Sequence, residues 1–395
     1  MFNFEVLKKD KETRARTGVI HTAHGDIETP AFVPVGTQAT VKSLSSGDLK
    51  DIGVQVFFVN TYHVYLRPGL ETVDAFGGLH QFMGWERPLM TDSAGFQIFS
   101  LGEVNRKKRI KVGGEDCEIP LVKISEEGVV FRSHLDGSEH FFTPEKSIEA
   151  QITLGADIMI AFDECTYYPA TYEYAKKAME RTHRWAIRSL DAYKQKARDY
   201  QALYGSIQGG IYQDLREKSA KFICSLDFPG IAIGGVSVGE TKKEMRDVLR
   251  WVVPYLPEEK PRHLLGVGEI DDIFTLVEHG MDSFDCVMPT RLGRMGQVLV
   301  KSPKTKAETF KKKYLIDINK TEFGKDLRPL DEICNCWVCQ NYSRAYLHHL
   351  FRARELLAYR LASFHNLCFM ENLVAQIRKS IKEGNFLSLK KEWLA

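Results

Sequence analysis

Two aspartates that follow strand-like apolar runs are the residues of this chain best suited to chemistry. Asp285 lies in M-D-S-F-D-C-V-M-P-T-R-L-G-R, and Asp92 lies in T-D-S-A-G-F-Q. A carboxylate among apolar residues is costly to desolvate, so it needs either a partner or a chemical role. Two carboxylates in one site are the groups that handle glycosidic bonds, since one can attack the anomeric carbon while the other moves protons. For Asp285 taken alone, the alternative is a structural residue at a strand end.

Four further polar or glycine residues are suited to binding the ligand of such a site. Asp163 in A-F-D-E-C can accept paired N–H donors such as those of guanine, and Gln208 in S-I-Q-G-G can both donate and accept. Gly234 and Gly235 would let a ligand approach the backbone closely. An ordinary glycoside hydrolase, the alternative use of the two aspartates, leaves this guanine-binding set unexplained.

Short apolar runs, most of them followed by helical patterns, must position these residues. The runs are Ala31–Gly36, Val54–Asn60, Pro88–Asp92, Asp157–Asp163, Ala202–Gln208, Ile231–Gly235, His263–Gly268 and Ser283–Val287. The helical patterns are Thr171–Tyr200, Gln213–Ser225, Lys242–Tyr255 and Ile270–His279. Near-continuous apolar runs indicate strands that are buried on both faces. Eight strand–helix units predict an α/β fold, a (β/α)₈ TIM barrel; a doubly wound sheet shares the alternation but fits eight units less well.

Most of these predicted strands end in a polar residue or a glycine. The residues are Asn60, Asp92, Asp163, Gln208, Gly235, Gly266 and Asp285. Barrel enzymes carry their active site at the carboxyl ends of the strands. We therefore expect these side chains to converge at one mouth of the barrel.

The periodic region divides the chain into three predicted parts. Residues 1–30 are expected to form a β-rich lead-in, 31–300 the barrel, and 301–395 a C-terminal zinc-binding and helical subdomain. An insertion at about residues 101–130 interrupts the barrel between its third strand and the helix that follows. Its basic run N-R-K-K-R fits either a solvated surface or an RNA contact. Val287 to Tyr314 holds eight Lys or Arg and one Glu, which suits phosphate binding, although a solubilising segment is the alternative.

Three cysteines near the C-terminus have the spacing of a metal site. Cys334-x-Cys336-x₂-Cys339 plus one imidazole would make a closed tetrahedral Zn²⁺ site, which is structural because no position remains for substrate. His348 and His349 are alternatives for the fourth ligand. We favour His365, because the predicted helix 342–362 would end near it and leave it free to fold back.

Composition sets broad limits on what the chain can be. With 395 residues, 44% hydrophobic, 27% charged and a net charge of +2, it has the composition of a globular protein. No apolar run reaches the roughly 18 residues that a membrane helix needs. The start, M-F-N-F-E-V-L-K-K-D, lacks the pattern of a signal peptide. We expect a cytoplasmic protein that has no membrane partner.

The chain resembles the tRNA-guanine transglycosylases, the bacterial-type queuine tRNA-ribosyltransferase family, over nearly its whole length. The matching stretches begin with N-T-Y-H at Asn60, D-S-A-G-F-Q at Asp92, F-D-E-C-T at Asp163 and Q-G-G at Gln208. They continue with G-G-V-S-V-G-E at Gly234, G-V-G at Gly266, F-D-C-V-M-P-T-R at Asp285 and the C-x-C-x-x-C with a distant His. Their order and spacing agree with the family pattern.

The resemblance implies a homodimer that exchanges guanine at the wobble position of the anticodon loop of tRNAs with GU(N) anticodons for a 7-deazaguanine base. By motif position, Asp285 would be the nucleophile on ribose C1′, and Asp92 the general acid and base. The base would be bound by Ser93, Ala94, Gly95, Phe96, Asp163, Cys165, Gln208, Gly235 and Val236. The RNA would be held by Gly266, Val267, Gly268, Glu269, Ile270, Asp271, Asp272, Thr290, Arg291, Leu292, Gly293 and Arg294. Zn²⁺ would be held by Cys334, Cys336, Cys339 and His365.

The sequence departs from the family pattern at three places. Ala94 stands where bacterial members usually have Gly, so this loop should be less free to adopt positive φ. Val236-Ser237 stands where Leu-Ala is typical, and the 101–130 connection is longer than usual. These changes suggest the hypothesis that queuine is accepted as well as, or instead of, preQ1; neutral drift is the alternative.

Two other functional classes compete with this interpretation. One is a non-catalytic RNA-binding partner subunit of such an enzyme, which the presence of both Asp92 and Asp285 argues against. The other is the archaeal-type enzyme that modifies the D-loop, which carries additional C-terminal RNA-binding domains.

Overall fold

The computed structural model describes residues 2–105, 110–112, 115–117, 122–301 and 314–395. Eight parallel strands close into a barrel, and neighbours in sequence are neighbours around it. The strands are Ala31–Gly36, Phe57–Val59, Leu89–Thr91, Ile158–Ile160, Ala202–Ile207, Gly230–Ile233, Arg262–Leu264 and Ser283–Cys286. Closure is made by the eighth strand against the first, where Asp285 pairs with Val33. The predicted (β/α)₈ barrel is confirmed.

The observed strands are shorter than most of the predicted runs. Phe57–Val59 replaces the predicted Val54–Asn60, and Ile158–Ile160 replaces Asp157–Asp163. The polar residues at the ends of these runs leave the ladder, because their side chains bond across the barrel mouth instead of continuing the sheet. Asn60, for example, donates from Nδ2 to Asp92 Oδ2 at 2.6 Å.

An antiparallel sheet precedes the barrel and packs against its interior. Its strands are Asn3–Lys9, Arg16–Thr22 and Gly25–Thr29. Ile20 and Ile27 of this sheet are buried in one apolar cluster with inward-facing barrel residues such as Val33 and Phe58. The side chains of the N-terminal sheet thereby continue the barrel core.

Helices form the outer layer of the barrel. Those that precede the sixth strand are Ser46–Ile52, Thr61–Leu66, Leu70–Ala75, Leu79–Met83, Gly95–Asn105, Pro144–Leu154, Tyr172–Lys196 and Gln213–Ser225. Those that follow are Lys242–Val252, Ile270–Glu278, Met288–Arg294, Trp337–Asn341, Arg344–Ala353, Leu356–Glu383 and Phe386–Leu394, with 3₁₀ turns at Val253–Tyr255 and Thr321–Lys325. No helix within the described ranges is long and apolar enough to cross a membrane.

Two local expectations were wrong. After Pro289, the sequence predicts that Arg291 and Arg294 lie in a Gly-containing loop, but they lie in the helix Met288–Arg294. This helix packs on the long helix Leu356–Glu383. The predicted helix 342–362 is interrupted at Arg354, which has φ 59°. Because neither Gly nor Pro marks this break, the sequence pattern did not reveal it.

The insertion contains short strands, and one further strand follows it. Those that begin inside it are Ile110–Val112, Glu115–Cys117, Val122–Ile124 and Val129–Arg132, and the strand that follows is Glu139–Phe142. A helix, Gly95–Asn105, follows the third barrel strand directly, so the insertion does not separate that strand from its first helix. Residues 106–109 of the basic run and 302–313 of the second basic segment lie outside the described residues. The strands Gln297–Leu299 and Leu315–Asp317 pair across that second gap.

Candidate active site

One cavity of about 750 Å³ opens at the carboxyl ends of the barrel strands. All seven predicted strand-end residues line it: Asn60, Asp92, Asp163, Gln208, Gly235, Gly266 and Asp285. The volume is in the range of small-ligand sites, which measure roughly 300–1,000 Å³. The predicted convergence at one barrel mouth is therefore what the structure shows.

Asp285 has one carboxylate oxygen bonded and the other open. Oδ1 accepts from the Gly266 N–H at 3.0 Å and lies 3.1 Å from His263 Nε2. Oδ2 has no hydrogen-bond partner among the residues that the structure describes. With 13% of the side chain exposed to the cavity, Oδ2 is the oxygen that can attack an electrophile.

Asp92 is bonded at both carboxylate oxygens. Oδ2 accepts from Asn60 Nδ2, and Oδ1 accepts from the backbone N–H groups of Thr61 at 2.8 Å and Ala94 at 3.2 Å. Burial nevertheless outweighs these bonds and raises the pKa of Asp92 to about 6. A carboxyl group with that pKa can give and take protons near neutral pH, as a general acid and base must.

Ala94 contradicts the expectation about its backbone. It has φ 70° and is fully buried, so the alanine does occupy the left-handed region that usually favours glycine. This conformation directs its N–H to Asp92 Oδ1. The contact with the carboxylate gives a reason for the strained geometry.

Asp163 and Gln208 form a polar floor of the cavity. Asp163 Oδ2 accepts from Ser206 Oγ at 2.7 Å and Gln208 Nε2 at 2.6 Å, and Oδ1 accepts from Ser93 Oγ at 3.0 Å. Burial raises the pKa of Asp163. Gln208 Oε1 is buried without a partner in the described part of the chain, which leaves an acceptor for a ligand N–H.

Glycines keep this floor accessible to a ligand. A Cβ on Gly235 would lie 2.5 Å from Gln208 Oε1, and one on Gly234 would lie 2.5 Å from Gln208 Nε2. A Cβ on Gly95 would lie 2.5 Å from the Asp163 carbonyl oxygen. Any side chain here would therefore displace the residues that bind the ligand.

Phe96, Cys165 and Val236 line the same cavity. Phe96 is 47% exposed, so one face of its ring is available for stacking. Burial raises the pKa of the Cys165 thiol, which keeps it neutral and unsuited to attack. Val236 is 2% exposed and packs in the core.

Some of the predicted RNA-contacting residues line the cavity, and the others pack elsewhere. Those that line the cavity are Gly266, Val267, Gly268, Glu269, Asp272 and Arg291. Ile270 and Leu292 pack against the core, and Thr290 is buried. Gly293 lies against the long helix, where a Cβ would meet Ser363 N at 2.8 Å. Arg294 Nη1 donates to Thr290 O at 2.9 Å.

The acidic residues in this set are ion-paired. Lys242 Nζ lies 2.8 Å from Glu269 and 3.1 Å from Asp272, and it also contacts Asp271. Arg246 lies 3.1 Å from Asp271. The two cations offset the negative charge that this rim would otherwise present to phosphates.

Two residues of the site were missed from the sequence. Arg216 is fully buried and donates to the carbonyl oxygens of Ile207, Gly210, Gly234 and Gly235 at 2.7–3.0 Å. It therefore fixes the two loops that carry Gln208 and Gly235. The other is His263, beside Asp285. Neither lies in a motif that would mark it, because each acts through contacts with residues distant in sequence.

The cysteine cluster can hold a metal ion. Ligand atoms of Cys334, Cys336, Cys339 and His365 lie within 4.8 Å of one another. His365 Nε2 donates to Leu299 O at 2.7 Å, so Nδ1, which lies 3.2 Å from Cys339 Sγ, is free to coordinate. Three sulfur donors and one imidazole nitrogen are a donor set that suits a tetrahedral ion.

The structure places His365 with the cysteines, but the reason given for choosing it was wrong. His365 lies inside the helix Leu356–Glu383 and is fully buried, so it is not a residue that folds back from a helix end. Its position is set by packing of that helix. His348 instead places Nδ1 2.8 Å from Ile318 O.

Comparison with known proteins identifies the family of this chain. The profile of the queuine tRNA-ribosyltransferase family matches residues 10–395. The chain is 49% identical over 390 residues to a queuine tRNA-ribosyltransferase of Thermoanaerobacter pseudethanolicus, covering 99% of this chain and 96% of the relative. It is 48% identical to that of Pelotomaculum thermopropionicum, covering 99% and 98%, and 47% identical to that of Halothermothrix orenii, covering 99% and 97%. The chain belongs to the queuine tRNA-ribosyltransferase family.

Proposed function

We propose that this chain is a tRNA-guanine transglycosylase that replaces guanine at the wobble position of GU(N) anticodons by a 7-deazaguanine. The observation that carries the proposal is the pairing of two carboxylates with different roles in one cavity. Asp285 presents an open oxygen, and Asp92 has a pKa raised to about 6. The non-catalytic partner subunit is not favoured, because such a protein has no use for this pair.

The first displacement uses both carboxylates. Asp285 Oδ2 attacks ribose C1′, and the bond from C1′ to N9 of guanine breaks with its electron pair leaving on the base. Protonated Asp92 supplies the proton that the departing guanine needs. Gln208 Oε1 and Asp163 accept N–H groups of the base, and Phe96 stacks on it.

The second displacement reverses these roles. Asp92, now ionised, takes the N9 proton of the incoming base, whose nitrogen attacks C1′ as the ester bond to Asp285 breaks. Two inversions retain the anomeric configuration. No ATP is needed, because the ester conserves the free energy of the glycosidic bond. The wobble base reaches the cavity at modest cost, since an anticodon loop is already single-stranded.

The choice between preQ1 and queuine is proposed to lie in the cavity wall at Val236 and Ser237. Ser237 Oγ donates to Gly266 O at 2.7 Å, so its proton is engaged in the loop and its oxygen can still accept from a ligand. A competition assay with guanine-labelled tRNA measures which base displaces the label. Displacement by preQ1 at micromolar concentration with queuine inert would reject the queuine hypothesis.

The metal of the cysteine cluster is proposed to be a structural Zn²⁺. The fully buried His365, with its Nε2–H satisfied by a carbonyl, matches a closed site that has no position for substrate. When bound, the ion would link the cysteine loop to the long helix. We further propose the boundaries 1–30, 31–300 and 301–395 for the lead-in, the barrel and the zinc-binding subdomain.

A homodimer is proposed to form through the face beside the cysteine cluster. Leu327, which is 83% exposed, and Tyr346, which is 38% exposed, line one shallow depression there. Tyr346 also stacks on Tyr342, with ring centroids 5.3 Å apart. Leu327→Glu should shift the protein from dimer to monomer in sedimentation velocity, whereas Leu7→Glu, on the N-terminal sheet, should not.

Asp285→Asn tests the function, because it keeps the size of the side chain and removes the nucleophile. We expect no base exchange and no covalent RNA–protein adduct on a denaturing gel. Asp247→Asn, the same change on an outer helix, should retain both. If the Asp285→Asn variant exchanged bases at the rate of the unmodified protein, the proposal would be contradicted. If the unmodified protein bound tRNA but exchanged no base, the partner-subunit alternative would be favoured.

A further inference from the structure

We propose that His263 is a positioning residue for the nucleophile: it occupies Asp285 Oδ1 and so presents Oδ2 to the ribose. This inference rests on the proposed function of Asp285. His263 belongs to the strand Arg262–Leu264, and its side chain is completely buried. A fully buried imidazole that contacts a carboxylate in the cavity is a candidate for a functional role in addition to packing.

The contacts of the ring define its tautomer. His263 Nδ1 lies 2.8 Å from Ser283 Oγ, and Nε2 lies 3.1 Å from Asp285 Oδ1. The carboxylate can only accept, so Nε2 carries the hydrogen and donates. In the neutral ring Nδ1 is then the acceptor, and the Ser283 hydroxyl donates to it. Phe58, whose ring centroid is 5.9 Å away at an angle of 24°, stacks on the imidazole and fixes its plane.

A second donor acts on the same oxygen. The Gly266 N–H donates to Asp285 Oδ1 at 3.0 Å, and Gly266 has φ 81°, a backbone conformation that suits glycine. Rotation of the carboxyl group would break both bonds at once. The side chain is therefore held in one orientation in which Oδ2 remains open to the cavity.

The same bonds serve both displacements. When Oδ2 bonds to C1′, Oδ1 becomes the carbonyl oxygen of the ester and can still accept from His263 and Gly266. When the incoming base attacks C1′, the C1′–Oδ2 electron pair returns to the carboxylate, and the two donors stabilise the charge that develops there. His263 transfers no proton in either step.

The test compares His263→Gln with His263→Met, which have similar shapes but differ in their ability to donate. We expect His263→Met to lower kcat and the single-turnover rate of adduct formation roughly 10- to 100-fold, with KM for tRNA and base changed by no more than about 3-fold. His263→Gln should recover most of the lost rate. Melting temperature and zinc content report whether each variant folds, and His348→Met is the control at a histidine of the zinc-binding subdomain.

Equal rates for His263→Gln and His263→Met would overturn the inference, as would a loss confined to KM. Should neither variant fold, Ser283→Ala decides, because it removes the hydroxyl that donates to Nδ1 and orients the ring toward Asp285; an unchanged kcat would then reject the role of His263. Asp285→Asn separates a failure of the inference about His263 from a failure of the proposed function. If it is inactive while His263→Met is fully active, only this inference fails; if it is active, the proposed function fails as well.

Discussion

Gln208 Nε2 donates to Asp163 Oδ2 at 2.6 Å, and Oε1 of the same amide has no hydrogen-bond partner among the described residues. The pair fixes which atom of the amide faces a ligand, because the acceptor-only carboxylate binds the amide nitrogen. One buried acceptor is thus left for an N–H group of the base. Such an atom costs free energy until a ligand satisfies it.

Gln208→Leu should weaken base binding more than it slows the chemical step. The change removes the open acceptor and deprives Asp163 of one donor. We expect KM for guanine and for the 7-deazaguanine to rise by roughly 10-fold or more, with kcat changed far less. Steady-state kinetics with each base measure this split. An unchanged KM would show that Oε1 does not contact the base.

Asp92→Asn should abolish exchange, and its effect on stability should depend on pH. Because burial raises the pKa of Asp92 from its ordinary value of 3.8 to about 6, ionisation is disfavoured in the folded state. The resulting loss of stability is absent below pH 3.8 and complete above pH 6. The variant should therefore gain more in unfolding free energy at pH 8 than at pH 4, as measured by urea denaturation. A larger gain in unfolding free energy at pH 4 than at pH 8 would contradict the raised pKa of Asp92.

The exchange rate of the unmodified enzyme should also change with pH near the pKa of Asp92. Below about pH 6 the protonated form dominates and cannot take the proton of the incoming base. The second displacement should then slow, and the covalent intermediate should accumulate. Quench-flow trapping of the adduct at pH 5 and pH 7 measures this. A pH-independent adduct level would argue against Asp92 as the base.

Ala94→Gly should affect stability much less than Ala94→Val. Ala94 has φ 70°, and a left-handed conformation costs a non-glycine residue about 1 kcal/mol or more. Glycine removes that strain, so we expect a variant within about 1 kcal/mol of the original protein, whereas a β-branched valine should destabilise it by more than about 2 kcal/mol. Thermal or urea denaturation measures both. Equal stability of the two variants would contradict the strained backbone.

His365→Ala should remove the metal, and His349→Ala should not. Only His365, of the two, belongs to the cluster whose ligand atoms lie within 4.8 Å. We expect bound Zn²⁺ to fall from about one per chain to about none in His365→Ala, with a lower melting temperature, because metal binding and folding are coupled. Elemental analysis of the purified variants measures this. Full zinc content in His365→Ala would mean that another residue is the fourth ligand.

Asp157 should contribute acid-sensitive stability at the opposite end of the barrel. His24 Nδ1 lies 2.7 Å from its Oδ1, and His80 Nε2 lies 3.4 Å from its Oδ2. Although burial opposes ionisation, hydrogen bonds from His24, His80 and the Leu89 N–H lower the pKa of Asp157 to about 2.

A depressed pKa stabilises the folded state above pH 3.8, and that stability is lost as the pH falls toward 2. Asp157→Asn should cost about 2 kcal/mol at pH 7 and less at pH 3, measured by urea denaturation. If the difference in unfolding free energy between the variant and the original protein were larger at pH 3 than at pH 7, the lowered pKa of Asp157 would be contradicted.

Local sequence patterns predicted much of the barrel. The helix Gln213–Ser225 was predicted with its observed bounds, and the strand Ala31–Gly36 likewise. Both follow from short-range periodicity and flanking residues, which the chain carries within one element. The break at Arg354 escaped prediction, because Arg354 adopts the left-handed conformation that glycine usually supplies at the end of a helix.

The sequence by itself determined the periodicity of the barrel, the chemical types at its strand ends and the cysteine spacing, because each is written in neighbouring residues. Only the tertiary structure decided which contacts those residues make. It showed that the Gly266 N–H and His263 bond to Asp285, that Arg216 holds the base-site loops, and that His365 reaches the cysteines from within a helix. These contacts join residues far apart in the chain, and their geometry exists only once the barrel has closed.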